Sequence, residues 1–159
     1  MSQTAERIQA ELDQEIELNR RLLAVVEQER EILLAGRHQR LMETSQRKVE
    51  LCGQLAQTQE RRRRLAAELS PQGRPPDRLG ELPALVPEEH RPALRRRIAE
   101  LTHLARQVER LNQGNREFVQ EALDTVGHLM GVLAGGGRSQ AYGRSAPQAT
   151  VPRLVTREV

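Results

Sequence analysis

The stretch LRRRIAELTHLARQVERLNQGNREFVQEALDTVGHLMGVL, Leu94 to Leu133, decides the fold. Leu94, Ile98, Leu101, Leu104, Val108, Leu111, Asn115, Phe118, Ala122, Val126, Leu129 and Leu133 recur at spacings of three and four, which stacks them on one side of an α-helix. Forty residues of helix extend about 60 Å at 1.5 Å per residue, too long for a compact globule. Such a rod needs long partners, either other segments of the chain or a second copy of itself.

Two other segments supply the length. From about residue 4 to 35, Ala5, Ile8, Leu12, Ile16, Asn19, Leu23, Val26, Arg30 and Leu33 form a stripe that Leu22, Val25 and Ile32 widen. Thr4 is the expected N-cap, and Gly36 with Arg37 a stop or kink. From about residue 38 to 69 a second helix is expected to present Met42, Ser45, Val49, Cys52, Ala56, Ala66 and Leu69. Its pattern thins near Gln59 and Arg62, which predicts looser packing over its final third. Between them and the third helix, residues 70–91 form a Pro-rich connector that Leu79, Leu82, Leu85 and Val86 tack onto the bundle. The third helix is expected over about 92–133, with proline tolerated in its first turn.

The expected fold is therefore all-α: an elongated antiparallel bundle of three long helices in residues 1–134, followed by a tail at 135–159. That tail is rich in Gly, Ser, Gln, Pro and Arg, and ordering it would cost more than it could bury, so it is expected to be disordered when free. Apolar residues make up 37% of the 159, with one Tyr, one Phe and no Trp, so the core is lean and aliphatic.

Charge argues against a nucleic-acid site. The net +3 sits in the tail, because residues 1–134 balance to zero. The run Arg61 to Arg64 points in four directions about 100° apart and makes a solvated collar, not a patch. Of 25 basic residues 24 are Arg and only Lys48 is Lys, read here as codon bias. Cys52 alone cannot form an internal disulfide, and it falls on an apolar face as an inert thiol. No segment reads as a signal peptide or a membrane span, which places the protein in the cytoplasm.

No catalytic constellation is visible. His38, His90, His103 and His128 stand apart from one another and from Cys52, without the helical spacing metal ligands use. Gly135 to Gly137 follow a helix instead of opening one, so they make no phosphate loop. Neither an enzyme, a cofactor nor a bound metal is expected.

The asparagines carry more information. In Leu111-Asn112-Gln113-Gly114-Asn115-Arg116-Glu117-Phe118-Val119, Asn115 takes a core-facing step and Asn112 lies one turn earlier. A buried amide costs about 1 to 3 kcal/mol if unpaired and sets register when paired. The layer is either a register device or a polar step in a partner's groove. Beyond it Phe118, Val119, Leu123, Val126, Leu129, Met130, Val132 and Leu133 cover more than one face, more than a helix shielded on one side requires. Surplus apolar surface marks a docking site. Tyr142, in SQAYGRS, stands where no core can form.

The Leu-Asn-x-x-Asn-x-x-hydrophobic pattern at Leu111 to Phe118, the amphipathic helix after it and the Tyr142-Gly143 pair resemble the FlgN family of flagellar type III export chaperones. The resemblance covers residues 95–145; before that it is generic. It implies that the protein binds the hook-filament junction proteins FlgK and FlgL, keeps them unpolymerised and hands them to the export gate. It implies a substrate site at Leu111, Asn112, Asn115, Phe118, Val119, Ala122, Leu123, Val126, Leu129 and Met130, and docking of Tyr142 and Gly143 to the gate's cytoplasmic domain. The free protein is expected to be a monomer or a weak homodimer. A structural coiled-coil oligomer and a nucleic-acid-binding coiled coil are the competing readings.

Overall fold

The computed structural model describes residues 1–134 and contains helices α1 (Ser2–Leu34), α2 (Leu41–Leu69) and α3 (Arg91–Leu133), with no strand among them. Short 3-10 segments lie at His38–Arg40, Leu79–Leu85 and Glu88–His90. Helix α1 begins two residues before the expected cap, so Thr4 lies inside its first turn; the start is held by the Ala5 amide donating to the Met1 carbonyl at 3.1 Å.

Gly36 is a stop, not a kink. It has φ +67°, its amide donates to the Leu33 carbonyl at 3.1 Å, and the Arg37 amide donates to the Ile32 carbonyl at 3.0 Å. That pair of bonds around one left-handed residue is a Schellman motif, and it satisfies carbonyls the helix end would otherwise leave open. The chain then reverses into α2.

Helix α1 is the central element, packed along both of its neighbours. It runs antiparallel to α2, as Glu11–Arg61, Glu15–Arg62 and Glu29–Lys48 show, and parallel to α3, as Asp13–Arg97 and Val26–Asn115 show. Ala5, Ile8, Leu12 and Ile16 meet Leu65 and Ala66 of α2, Leu94 and Leu101 of α3, and Leu79, Leu82 and Val86 of the connector. A smaller cluster joins Leu22, Val26 and Val108, with Leu23, Leu51, Cys52 and Leu111 against it. The connector is thus tacked to the bundle by its leucines. His90 fixes its end: the Gln9 side-chain amide donates to Nδ1 at 3.0 Å, which leaves Nε2 to donate to the Ser2 hydroxyl at 2.9 Å.

The expected face of α2 is corrected. Met42 and Val49 are 70% and 73% exposed, and Ser45 and Ala56 face solvent too, while Thr44, Leu55, Thr58, Arg62, Leu65 and Ala66 are buried. The true stripe carries polar residues that satisfy themselves locally. Thr44 and Thr58 donate to the carbonyls of Leu41 and Gln54 at 2.9 and 3.0 Å. Arg62 donates through Nε to Glu15 at 2.6 Å, with both side chains nearly sealed from water. The final third of α2, expected to be loose, therefore holds the bundle's buried ion pair. Arg62 is no part of a solvated collar, whereas Arg61 reaches Glu11 at 3.0 Å and Arg64 reaches Glu60 at 2.9 Å on the surface.

Arg62→Ala is expected to cost about 3 to 5 kcal/mol in urea unfolding, because it strands the Glu15 carboxylate in the core. The double change Glu15→Leu with Arg62→Met should leave stability equal to the parent or higher, since it removes both desolvation costs together. A double variant as unstable as the single one would show that the pair itself supplies the stability.

Candidate functional site

Helix α3 uses one face throughout its length. Leu94, Leu101, Ala105 and Val108 are buried against α1, and Leu111 is half-buried beside Leu22 and Val26. Next comes a polar layer that ties all three helices. Lys48 of α2 donates through Nζ to both carboxylate oxygens of Glu29 in α1 at 3.0 Å and to Oδ1 of Asn112 in α3 at 2.7 Å. Asn115 is 2% exposed, and its Nδ2 donates to the Val26 carbonyl at 3.0 Å and to Glu29 Oε2 at 2.9 Å. Both amide hydrogens are thus used, while Oδ1 is buried with no partner among the described residues. The layer fixes axial register at some cost in stability.

Past Asn115 the cover on α3 thins and then stops. Helix α1 runs about two turns further, to Leu34, with Ile32 and Leu33 buried, and every residue of α3 from Arg116 to Ala134 is exposed over about 27 Å. Phe118 and Val119, beside the bundle, are 37% and 38% exposed, and Leu133 at the tip is 80% exposed. At 100° per residue, Phe118, Val119, Ala122, Leu123, Val126, Leu129, Met130 and Leu133 fall in one sector about 140° wide, in line with the face that α3 buries lower down. Among the large apolar residues only Val132 departs from it. The apolar surface is therefore a single stripe, narrower than the sequence pattern suggested. The opposite side is satisfied within the helix: Gln113 donates to Glu117 at 2.9 Å, Gln120 to Asp124 at 2.9 Å, and Thr125 to the Glu121 carbonyl at 2.9 Å.

At the root of this projection Leu33, Leu41, Ser45, Arg116, Val119 and Gln120 line an open cleft together with Glu29, Lys48 and Asn115. The expected site residues consequently divide in two. Leu111, Asn112 and Asn115 belong to closed layers of the bundle, where Asn112 Oδ1 accepts from Lys48 of α2 and Asn115 Nδ2 donates to α1. Phe118, Val119, Ala122, Leu123, Val126, Leu129 and Met130 share the projecting stripe. Tyr142 and Gly143, like the rest of the tail, lie outside the described residues. Sequence reading missed Glu29 and Lys48. The available signal was that Lys48 is the only lysine among 24 arginines: a compact ammonium with three donors fits between a carboxylate and an amide, where a planar guanidinium would not.

No group of three or more His, Cys, Asp or Glu among the described residues could hold a metal ion. Burial pushes the Cys52 thiol up from its ordinary range, against the lowering effect of nearby Lys48, which disfavours the reactive thiolate. No helix among the described residues is long and apolar enough to cross a membrane. What this end of the molecule offers is a shape: an amphipathic helix with an open apolar stripe, anchored at a cleft.

No curated protein and no solved structure matches the chain. A family model described as FlgN protein matches residues 1–150, which takes in the first two helices as well as the stretch whose asparagine pattern carries the resemblance. The chain belongs to the FlgN family, a family of flagellar export chaperones.

Proposed function

We propose that the protein is a cytoplasmic chaperone that receives an amphipathic helix of a hook-filament junction protein, FlgK or FlgL, along the projecting half of α3, and presents it to the flagellar export gate. The observation that carries this reading is the uncovered stripe at Phe118 to Leu133, continuous with a face that the same helix buries elsewhere. Family membership supports the export role, and the stripe supports the mode of binding.

The energetics suit holding and release. Burying a few hundred Å2 of apolar surface is worth several kcal/mol at about 25 cal/mol per Å2. Ordering costs subtract from this, and Gly127 and Gly131 each weaken the projecting helix by about 1 kcal/mol relative to Ala. The resulting affinity is moderate, as suits cargo that must leave before export. In this reading Asn112 and Asn115 support the groove from below, and Phe118, Val119, Ala122, Leu123, Val126, Leu129 and Met130 contact cargo. Tyr142 and Gly143 serve the gate.

Changing Phe118, Leu123 and Val126 together to Asp is expected to abolish complex formation with a purified junction subunit in size-exclusion chromatography, with the melting temperature nearly unchanged, because none of the three is buried. Unchanged binding by that variant removes the groove assignment. Asn115→Ala should lower stability by about 1 to 2 kcal/mol in urea unfolding through loss of its bonds to Val26 and Glu29. Its cargo affinity, measured well below the unfolding midpoint, should change less than twofold; a larger loss would make Asn115 a contact residue. For Tyr142→Ala, cargo binding should stay intact while secretion of junction proteins falls. Weakened cargo binding would move Tyr142 into the substrate site.

A further inference from the structure

We propose that residues 151–159 of the chain itself cover the open stripe of α3, and that an incoming helix must displace them. The proposal rests on the docking reading above and names what holds the stripe before cargo arrives. Leu123, Val126, Leu129 and Met130 are each more than half exposed, an apolar surface that favours any cover within reach.

Charge separates a second copy from the chain's own tail. Residues 116–134 hold Glu117, Glu121 and Asp124 against Arg116, a net charge of −2 with His128 neutral. None of those four forms an ion pair with a described residue. A second copy laid stripe to stripe brings the same −2 and is repelled. Residues 135–159 hold Arg138, Arg144, Arg153 and Arg157 against Glu158, a net charge of +3, and are attracted. At about 0.1 M salt such forces act over about 10 Å, the separation of packed helices.

The sequence of the tail supplies a matching face. At 100° per residue, Val151, Leu154, Val155 and Val159 fall in one sector about 140° wide, with Thr150 placed as a cap and Pro152 in the first turn. Arg153 and Arg157 fall outside that sector. Glu158 is the one charge within it, and Arg116 is the unpaired counterpart that lines the cleft beside Val119. That pairing seats the segment over Phe118 to Val126. Ordering these residues alone would cost more than they could bury, but here they meet a surface that is already helical.

The tether favours the same answer. Residues 135–150 include Gly135, Gly136, Gly137, Ser139, Gly143 and Ser145, and a linker of that composition and length has a root-mean-square reach of about 22 Å. Leu133 to Phe118 spans about 22 Å of helix. A linker matched to its span gives an effective concentration in the millimolar range, far above that of a second copy at micromolar protein. Tyr142 lies within the linker, so the cover and the proposed gate contact use different parts of the tail. A cover in place about two thirds of the time lowers the apparent affinity for a guest about threefold.

The test uses the full chain and a fluorescein-labelled synthetic 18-residue amphipathic Ala/Leu/Gln helix. In anisotropy titrations the Leu154→Asp/Val155→Asp chain should bind the peptide about threefold more tightly than the parent. Equal affinities overturn the proposal while leaving the groove in place. Occupancy is read separately, without any peptide, from a 15N-labelled chain carrying Cys52→Ser and a nitroxide on Thr156→Cys. The amides of Phe118 to Val126 should broaden at least as strongly as those of Gly131 to Leu133, and the broadening should vanish when Phe118, Leu123 and Val126 are changed together to Asp. Broadening that is greatest at Leu133 and fades toward Phe118, or that survives the triple change, overturns the proposal. In a mixture of nitroxide-bearing unlabelled chain and 15N chain without nitroxide, no broadening is expected. Broadening there gives the stripe to a second copy and overturns it as well. A peptide that binds neither chain, while the nitroxide marks the stripe as expected, overturns the docking reading alone.

Discussion

The architecture depends on a mismatch of helix lengths. Helix α1 ends at Gly36, where a left-handed residue and two reversed amide bonds close its last turn, and α2 starts back from almost the same level. Helix α3 runs parallel to α1 in a register that places Asn115 beside Val26, so α1 has under three turns left when α3 has five still to run. Among the described residues there is no further helix to pack against the outer turns that α1 does not reach. The free stripe is a consequence of where the Schellman turn falls.

A lean aliphatic core makes the polar layers more consequential. Leu, Ile, Val and Ala on parallel rods interdigitate almost equally well when one rod slides by a turn, so they specify axial position weakly. The Glu15–Arg62 pair and the Lys48, Glu29, Asn112 and Asn115 network fit in one register only, since a slip of one turn would bury uncompensated charge. One layer is the Glu15–Arg62 pair, and the other lies where α3 begins to lose its cover. The second has a further effect: by pinning α3 at Asn115 it determines how much of the helix is left outside.

The legible and illegible parts of the sequence follow from the same chemistry. Helices α1 and α3 bury mostly apolar positions at a helical period, so their extents and faces could be read directly, as could the leucines that tack down the connector. Helix α2 buries Thr44, Thr58 and Arg62 and exposes Met42 and Val49. A reading that follows apolar residues lands on the wrong side of it, because what admits those polar groups to the core is a carbonyl one turn back or a carboxylate on α1, and neither is visible from α2 alone. At the site, the stripe from Phe118 onward was legible because amphipathicity is a local property. Its emptiness depends on the end of α1, a long-range fact, and so does the pairing of Lys48 with Glu29 and Asn112. The resemblance to FlgN chaperones rested on residues 95–145, yet the family match extends over 1–150, so α1 and α2 fall within the family pattern as well.

An uncovered helix of this length is itself marginal. Isolated helices shorter than about 12 to 15 residues barely form in water, and the projection holds Gly127 and Gly131 in its outer half. Its inner end is different: continuous with the anchored part of α3, it needs no nucleation and can only fray from the tip. In the docking proposed above, a guest helix that settles first on Phe118 and Val119, beside the cleft, would meet ordered backbone; each further turn it covers would also stabilise a turn that would otherwise fray. Binding and helix completion are thereby coupled, and the affinity includes the cost of ordering the outer turns. The coupling also works in reverse. If the tip is drawn away or frays, contacts are lost one turn at a time from the outside, and release needs no disruption of the core below Asn115. A rigid groove closed on both sides would bind more tightly and would have to break as a unit. On that proposal the open-ended rod trades strength for a reversible, graded hold.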